Sequence, residues 1–164
     1  MHASLPDANT LIARLAESIA PTFAPETVIV GIHSGGVWVA ERLHALLKCA
    51  SPVGALDISF YRDDFSRIGL HPQVKPSNLP FDLENRVILL VDDVLHTGRT
   101  VRAAMNELFD YGRPASIRLA VLVDRGGREL PIRPDFAALT LEVPPHQNIN
   151  LSRLDDGHLT LSLA

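Results

Sequence analysis

The stretch ILLVDDVLHTGRT, residues 88–100, decides how the rest of this chain is read. It begins inside RVILLV (86–91), the most strongly β-patterned run in the sequence, and it meets two adjacent carboxylates, Asp92 and Asp93. A turn through Thr97, Gly98, Arg99 and Thr100 follows, and apolar residues then recur at helical spacing from Thr100 to Asp110. The amides of a helix's first turn have no partner one turn earlier, and the helix dipole is positive there. Gly98 lets the backbone approach an anion, and the hydroxyls of Thr97 and Thr100 add donors. That is a phosphate seat. The carboxylates one short loop away accept hydrogen bonds from vicinal hydroxyls, so phosphate at one end and a diol at the other describe ribose 5-phosphate. The stretch has no lysine and does not match G-x-x-x-x-G-K-[ST], nor is it a G-x-G-x-x-G loop.

Outward from this stretch the chain alternates strand and helix. Residues 7–20 place Leu11, Ile12, Leu15 and Ile19 on one helical face, ended by Pro21. TVIVGI (27–32) predicts a short buried parallel strand. The sequence breaks at His33-Ser34-Gly35-Gly36 and returns to helical spacing over Val37 to Lys48. Val53 to Phe60 predicts a second strand, and residues 61–85 are polar, proline-containing and aperiodic, as functional loops are. After the helix at 100–110, closed by Gly112 and Pro114, Ala115 to Val123 predicts another strand. Short strands with a turn at Asp155-Asp156-Gly157 follow from about 135. The pattern predicts one α/β domain over 1–164: a mostly parallel central sheet flanked by helices (core about 25–123), with a small cap from about 124–164 and the N-terminal segment.

Composition narrows the function. The net charge of −4 and pI near 5.9 give no general attraction to nucleic acid. No apolar run reaches the roughly 20 residues of a membrane span, and the start Met1-His2-Ala3-Ser4 is unlike a signal peptide. A cytoplasmic protein without a membrane partner is expected. The one cysteine, Cys49, falls late in an apolar helix and reads as a buried thiol. The seven histidines form no H-E-x-x-H or Cys/His set, so no structural zinc site is expected. Arg125, Arg128 and Arg133 cluster and form a candidate RNA face; the plainer reading is a solvated loop pairing with Glu129 and Asp135. Asp57, ending a strand, is a candidate to assist Mg²⁺ or to hold Arg62, and Trp38 suits a core or an interface.

Residues 88–100 resemble the 5-phosphoribosyl-1-pyrophosphate (PRPP) motif of type I phosphoribosyltransferases. GIHSGGVWVAERL (31–43), VGALDISFYRDDF (53–65) and DYGRPASIRLAVLVDRGGRELPIRPD (110–135) resemble the pyrimidine operon attenuation protein/uracil phosphoribosyltransferase family, PyrR. The resemblance implies the type I phosphoribosyltransferase fold with its hood. It implies uracil and PRPP as substrates, UMP and pyrophosphate as products, and Mg²⁺ carried with PRPP rather than by protein ligands alone. A phosphoribosyltransferase for another base, and a nucleotide-sensing RNA-binding regulator with little turnover, are the competing functions.

By the same resemblance, Asp92 and Asp93 hold the ribose hydroxyls and Val94, Leu95, His96, Thr97, Gly98, Arg99 and Thr100 complete the nucleotide cradle. His33, Ser34, Gly35 and Gly36 form the pyrophosphate loop, and Tyr61, Arg62, Asp63 and Asp64 open the mobile active-site loop, with Arg62 joining the aspartates as catalytic. His96 is expected to face solvent or a neighbouring subunit. The segment after Val123 is expected to hold the base, in a homodimer or tetramer. Two departures stand out. Many family members carry a basic residue and an arginine where this chain has His33 and Gly35, and often a histidine, on a face linked to RNA, where it has Gly127.

Overall fold

In a computed structural model that describes residues 4–59 and 77–164, the first helix, α1 (Ala8–Ile19), starts where Asp7 accepts the Thr10 N–H at 3.0 Å. The strands β1 (Val28–Ile32), β2 (Gly54–Leu56), β3 (Val87–Leu95), β4 (Ser116–Asp124) and β5 (Phe136–Thr140) form one parallel sheet in the order β2-β1-β3-β4-β5. Helix α2 (Gly35–Leu47) connects β1 to β2, and α3 (Arg99–Tyr111) connects β3 to β4. A separate antiparallel hairpin, β6 (Ile149–Arg153) with β7 (Leu159–Leu163), ends the chain.

The sheet is covered on both faces, so its central strands are apolar on both sides rather than alternating. Ile29, Leu89, Val91, Ala120 and Leu122 pack against α1, α2 and the hairpin. Val28, Val30, Ile88, Leu90 and Val121 pack against α3 and against Leu79, Phe81 and Leu83 of the segment before β3. Leu11, Ile12, Leu15 and Ile19 of α1 are each 2% exposed or less. Burial of that kind contributes about 1.5–3 kcal/mol per side chain, so α1 is a layer of the core rather than part of a cap.

Several expected boundaries move. The helix expected from Val37 starts at Gly35, which places both glycines of the 33–36 stretch in its first turn. The strand expected over 53–60 shortens to Gly54–Leu56, because Asp57 Oδ1 turns to accept the Ser59 N–H at 2.9 Å. The strand expected to stop at Val91 runs on to Leu95, held by pairing with β4 as far as Leu95 opposite Asp124. The cap expected from 124 begins later: β5 adds a fifth parallel strand to the core sheet, and only the hairpin lies outside it. Tyr61, Arg62, Asp63 and Asp64 of the expected mobile loop lie outside the described residues.

Candidate functional site

The sheet order places β1 and β3 side by side, while their following helices leave to opposite faces: α2 packs in one apolar cluster and α3 in the other. A crevice at such a topological switch point, outside the carboxyl ends of the strands, is where open α/β sheets bind ligands. Two helix N-termini open onto it, that of α2 after β1 and that of α3 after β3.

Between them stand the two carboxylates. Strict alternation along β3 slips there, since Leu90 and Leu95 belong to one apolar cluster while Val91 and Val94 belong to the other. A slip of one residue re-aims side chains, as a bulge does. Asp92 is 6% exposed and its Oδ1 accepts the Asp93 N–H at 2.9 Å; Asp93 Oδ1 accepts the Val94 N–H at 2.8 Å. Asp93 lies half-buried against α2. A Cβ built on Gly35 would fall 2.2 Å from Asp93 Oδ2, and one on Gly36 would fall 2.6 Å from Val91 O. The first turn of α2 therefore sits on β3 at a distance only glycine permits.

Asp92, Val94, Leu95, His96, Thr97, Gly98, Thr100 and Val101 line a cleft of about 60 Å³ at the start of α3. Gly98 caps that helix with φ +95°, a left-handed conformation. Thr97 Oγ1 accepts the Arg99 N–H at 3.2 Å, and the Arg102 N–H bonds back to Gly98 O at 3.0 Å. The amides of Thr100 and Val101 thus precede the first intrahelical bond, the arrangement that binds anions. All the cradle residues from Asp92 to Thr100 named from sequence lie together in this strand–turn–helix. Arg99 points to the rim, paired with Glu129 at 2.9 Å with both side chains more than half exposed.

The segment after β4 lies against the cradle. Leu95 O accepts the Arg125 N–H at 3.0 Å, and Thr97 O accepts the Glu129 and Leu130 N–H groups at 2.9 and 3.2 Å. His96 is exposed and packs on Gly127, where a Cβ would lie 2.8 Å from the imidazole. Desolvation and the nearby Arg125 guanidinium hold its pKa below the ordinary 6.5.

The candidate RNA face separates. Arg125 is 5% exposed and donates to the carbonyls of Val143, Pro144 and Gln147. Arg128 donates to Ile132 O, His96 O and Asp124 Oδ2, each at 2.8 Å. Neither pairs with Glu129 or Asp135; Asp135 instead accepts the Leu119 N–H at 2.7 Å. Asp124 is accordingly held below its ordinary pKa: burial works against this, but the bonds from Arg128 and the Gly126 N–H outweigh it. Arg133 alone of the three is exposed.

The expected pyrophosphate loop, His33 to Gly36, spans the turn after β1 and the first residues of α2. The His33 N–H donates to Leu56 O at 2.9 Å, and the His33–Ser34 peptide is cis. Trp38 resolves as an internal contact, with the Arg153 guanidinium 5.0 Å from its ring centroid, holding the hairpin on α2. Cys49 is buried and free. Asp57 is 7% exposed at the end of β2, and its backbone N–H donates to Ser77 Oγ at 3.0 Å. Sequence reading missed Glu107 on α3, buried beside Ser77; a glutamate in an amphipathic helix carries no signal of burial by a residue thirty positions earlier. Among the described residues no group of three or more His, Cys, Asp or Glu converges as a metal cage, and no helix is long and apolar enough to cross a membrane.

Comparison with known proteins fits this geometry. The phosphoribosyl transferase domain family matches residues 3–152. A hypoxanthine phosphoribosyltransferase from Staphylococcus aureus superposes with a TM-score of 0.67 at 18% identity, covering 89% of this chain and 80% of the other. A purine phosphoribosyltransferase from Pyrococcus horikoshii does so at 0.62 and 27%, covering 84% and 87%. The bifunctional protein PyrR of Pseudomonas fluorescens is 51% identical over 153 residues, 91% of each chain, and that of Nitrosococcus oceani is 54% identical over 149 residues, 90% of this chain and 84% of the other. With half its residues shared with these proteins along nearly its whole length, the chain belongs to the PyrR family.

Proposed function

We propose that this chain transfers the phosphoribosyl group of PRPP to uracil, giving UMP and pyrophosphate, and that it also regulates pyrimidine operon expression by attenuation. The observation that carries the enzymatic reading is the pair of helix N-termini bracketing Asp92 and Asp93 at the switch point. PRPP has a phosphate at each end and a diol between, and the site offers an anion seat at each end with carboxylates between.

In the reaction, a bond from uracil nitrogen to the ribose anomeric carbon forms as the bond from that carbon to pyrophosphate oxygen breaks, and the proton on that nitrogen leaves to solvent or to the departing pyrophosphate. Positive charge develops on the sugar, as in glycoside cleavage. Asp92 and Asp93 hold the ribose hydroxyls and place negative charge beside that centre. The α3 N-terminus with Thr97 and Thr100 holds the 5-phosphate, and the 33–36 turn holds pyrophosphate through backbone amides. With His33 and Gly35 in place of the more basic residues common in the family, that turn carries less positive charge. Magnesium bound with PRPP would supply positive charge against the leaving pyrophosphate. The described residues suit an ion carried by substrate phosphates, since they offer carboxylate oxygens such as Asp57 and no closed cage. The segment 125–132 holds the base in this reading, which its backbone bonds to Leu95 and Thr97 of the cradle support.

For RNA, the exposed Arg133 is the arginine of its cluster available to phosphates, while Arg125 and Arg128 shape the loop that presents it. The exposed Leu46, Phe109 and Tyr111 suit a homodimer or tetramer, and the reduced, buried Cys49 suits the cytoplasm. Purified protein given PRPP and Mg²⁺ with uracil, orotate, hypoxanthine or adenine should turn over uracil. Preference for another base, or no turnover with any, would overturn the enzymatic reading.

A further inference from the structure

Helix α3 carries a buried carboxylate for which the reaction above has no use. Glu107 lies about two turns beyond the phosphate seat and is 8% exposed. Its Oε1 accepts the Ser77 Oγ–H, while its Oε2 is enclosed with no hydrogen-bond partner among the described residues. Burial, together with the nearby Asp57 and Asp110 carboxylates, raises its pKa above the ordinary 4.5 despite the Ser77 bond. A half-satisfied buried acid stabilises a fold less than an apolar side chain of its size would.

The bonds that radiate from Glu107 lead to the other side of the site. Ser77 Oγ accepts the Asp57 N–H at 3.0 Å. Next to it, Asn78 and Ala55 exchange both backbone hydrogen bonds at 2.8 Å, so the chain at 77–78 is locked to β2. Leu56, between those two ties, accepts the His33 N–H at 2.9 Å, which anchors the pyrophosphate turn. A continuous path thus runs from α3 through Ser77 and the end of β2 to the 33–36 turn. One end of it belongs to the helix that seats the 5-phosphate.

We propose that Glu107 is a positioning residue that, through Ser77 and the end of β2, sets the separation of the two anion seats and so the affinity for a ligand that must fill both. The inference rests on the reading of the site as a PRPP site. It makes a distinction that a general contribution to folding would not. PRPP engages both seats, whereas UMP engages only the 5-phosphate seat.

Calorimetric titration with PRPP plus MgCl₂ and, separately, with UMP tests this on Glu107→Ala, Ser77→Ala and Glu107→Gln, with thermal melting as the check on folding. In Glu107→Ala and Ser77→Ala, affinity for PRPP should fall about tenfold, the size of one lost hydrogen bond, while UMP affinity stays within roughly twofold. Glu107→Gln, which keeps the acceptor oxygen, should bind both ligands like the parent. Should Glu107→Ala not fold, Ser77→Ala carries the same comparison. Unchanged PRPP affinity in the folded variants, or a parallel loss of PRPP and UMP affinity, would overturn the proposal. Failure of the parent protein itself to bind PRPP would instead overturn the reading of the site.

Discussion

At the scale of single residues, the site depends on side chains whose charge and aim are separable. Asp93 keeps one oxygen on the Val94 N–H and lies against Gly35 with the other. Asp93→Asn preserves size and can still accept from Val94, so melting should hardly change. Its kcat/KM should fall on the order of 10²–10³-fold, the cost of removing one preorganised electrostatic contact to a charged transition state. Steady-state kinetics with uracil and PRPP measure it, and wild-type turnover would remove Asp93 from the mechanism. Arg125 and Arg128 show the limit of reading residues by type. Three arginines in nine positions look like a basic edge, yet two of them spend their donors on carbonyls and Asp124. Charge is visible in a sequence, whereas most of the carbonyls that capture it are brought by distant chain.

Among the elements, the strand–turn–helix at 88–100 was the most legible, because its parts are contiguous and each has a local cause. The left-handed Gly98 and the apolar run before Asp92 are properties of neighbouring residues. Less legible was where β3 stops. Aspartate is a poor strand former, so Asp92 and Asp93 read as a terminus, but the ladder with β4 carries the strand through them. β5 (FAALT) reads as part of a cap because its pattern is too short to declare a partner; its parallel register with β4 is a tertiary choice. The packing of α2 on β3 yields a further test. In Gly35→Ala the new methyl competes for the space of the Asp93 carboxylate, so the aspartate is displaced without being removed. Turnover should drop by at least as much as in Asp93→Asn, and the two changes combined should cost less than their sum, since they act through one group. Full additivity in a double-mutant cycle would mean that Gly35 acts elsewhere.

For the whole molecule, one buried and one partly buried titrating group set opposite limits on stability. The pKa of Glu107, facing Ser77, Asp57 and Asp110, is raised, so its contribution is full below its unfolded value of 4.5 and is lost as pH rises through the folded one. The pKa of Asp124 is lowered, so its contribution is present above its unfolded value of 3.8 and is lost as pH falls through the folded one. Urea unfolding across pH should therefore show Glu107→Gln gaining on the parent above pH 4.5 and not below. A constant difference at every pH would mean that Glu107 does not titrate in that range. The order of the sheet bears on synthesis as well as on stability. β1 lies between β2 and β3, yet β3 follows only after everything from His33 to Arg86 has been made. At roughly 5–20 residues per second that takes several seconds. Through that interval the nascent chain presents one edge of β1, a strand buried at every position of the finished fold, with no neighbour to pair with, so translation, before any substrate is met, is a stage at which the chain is open to aggregation.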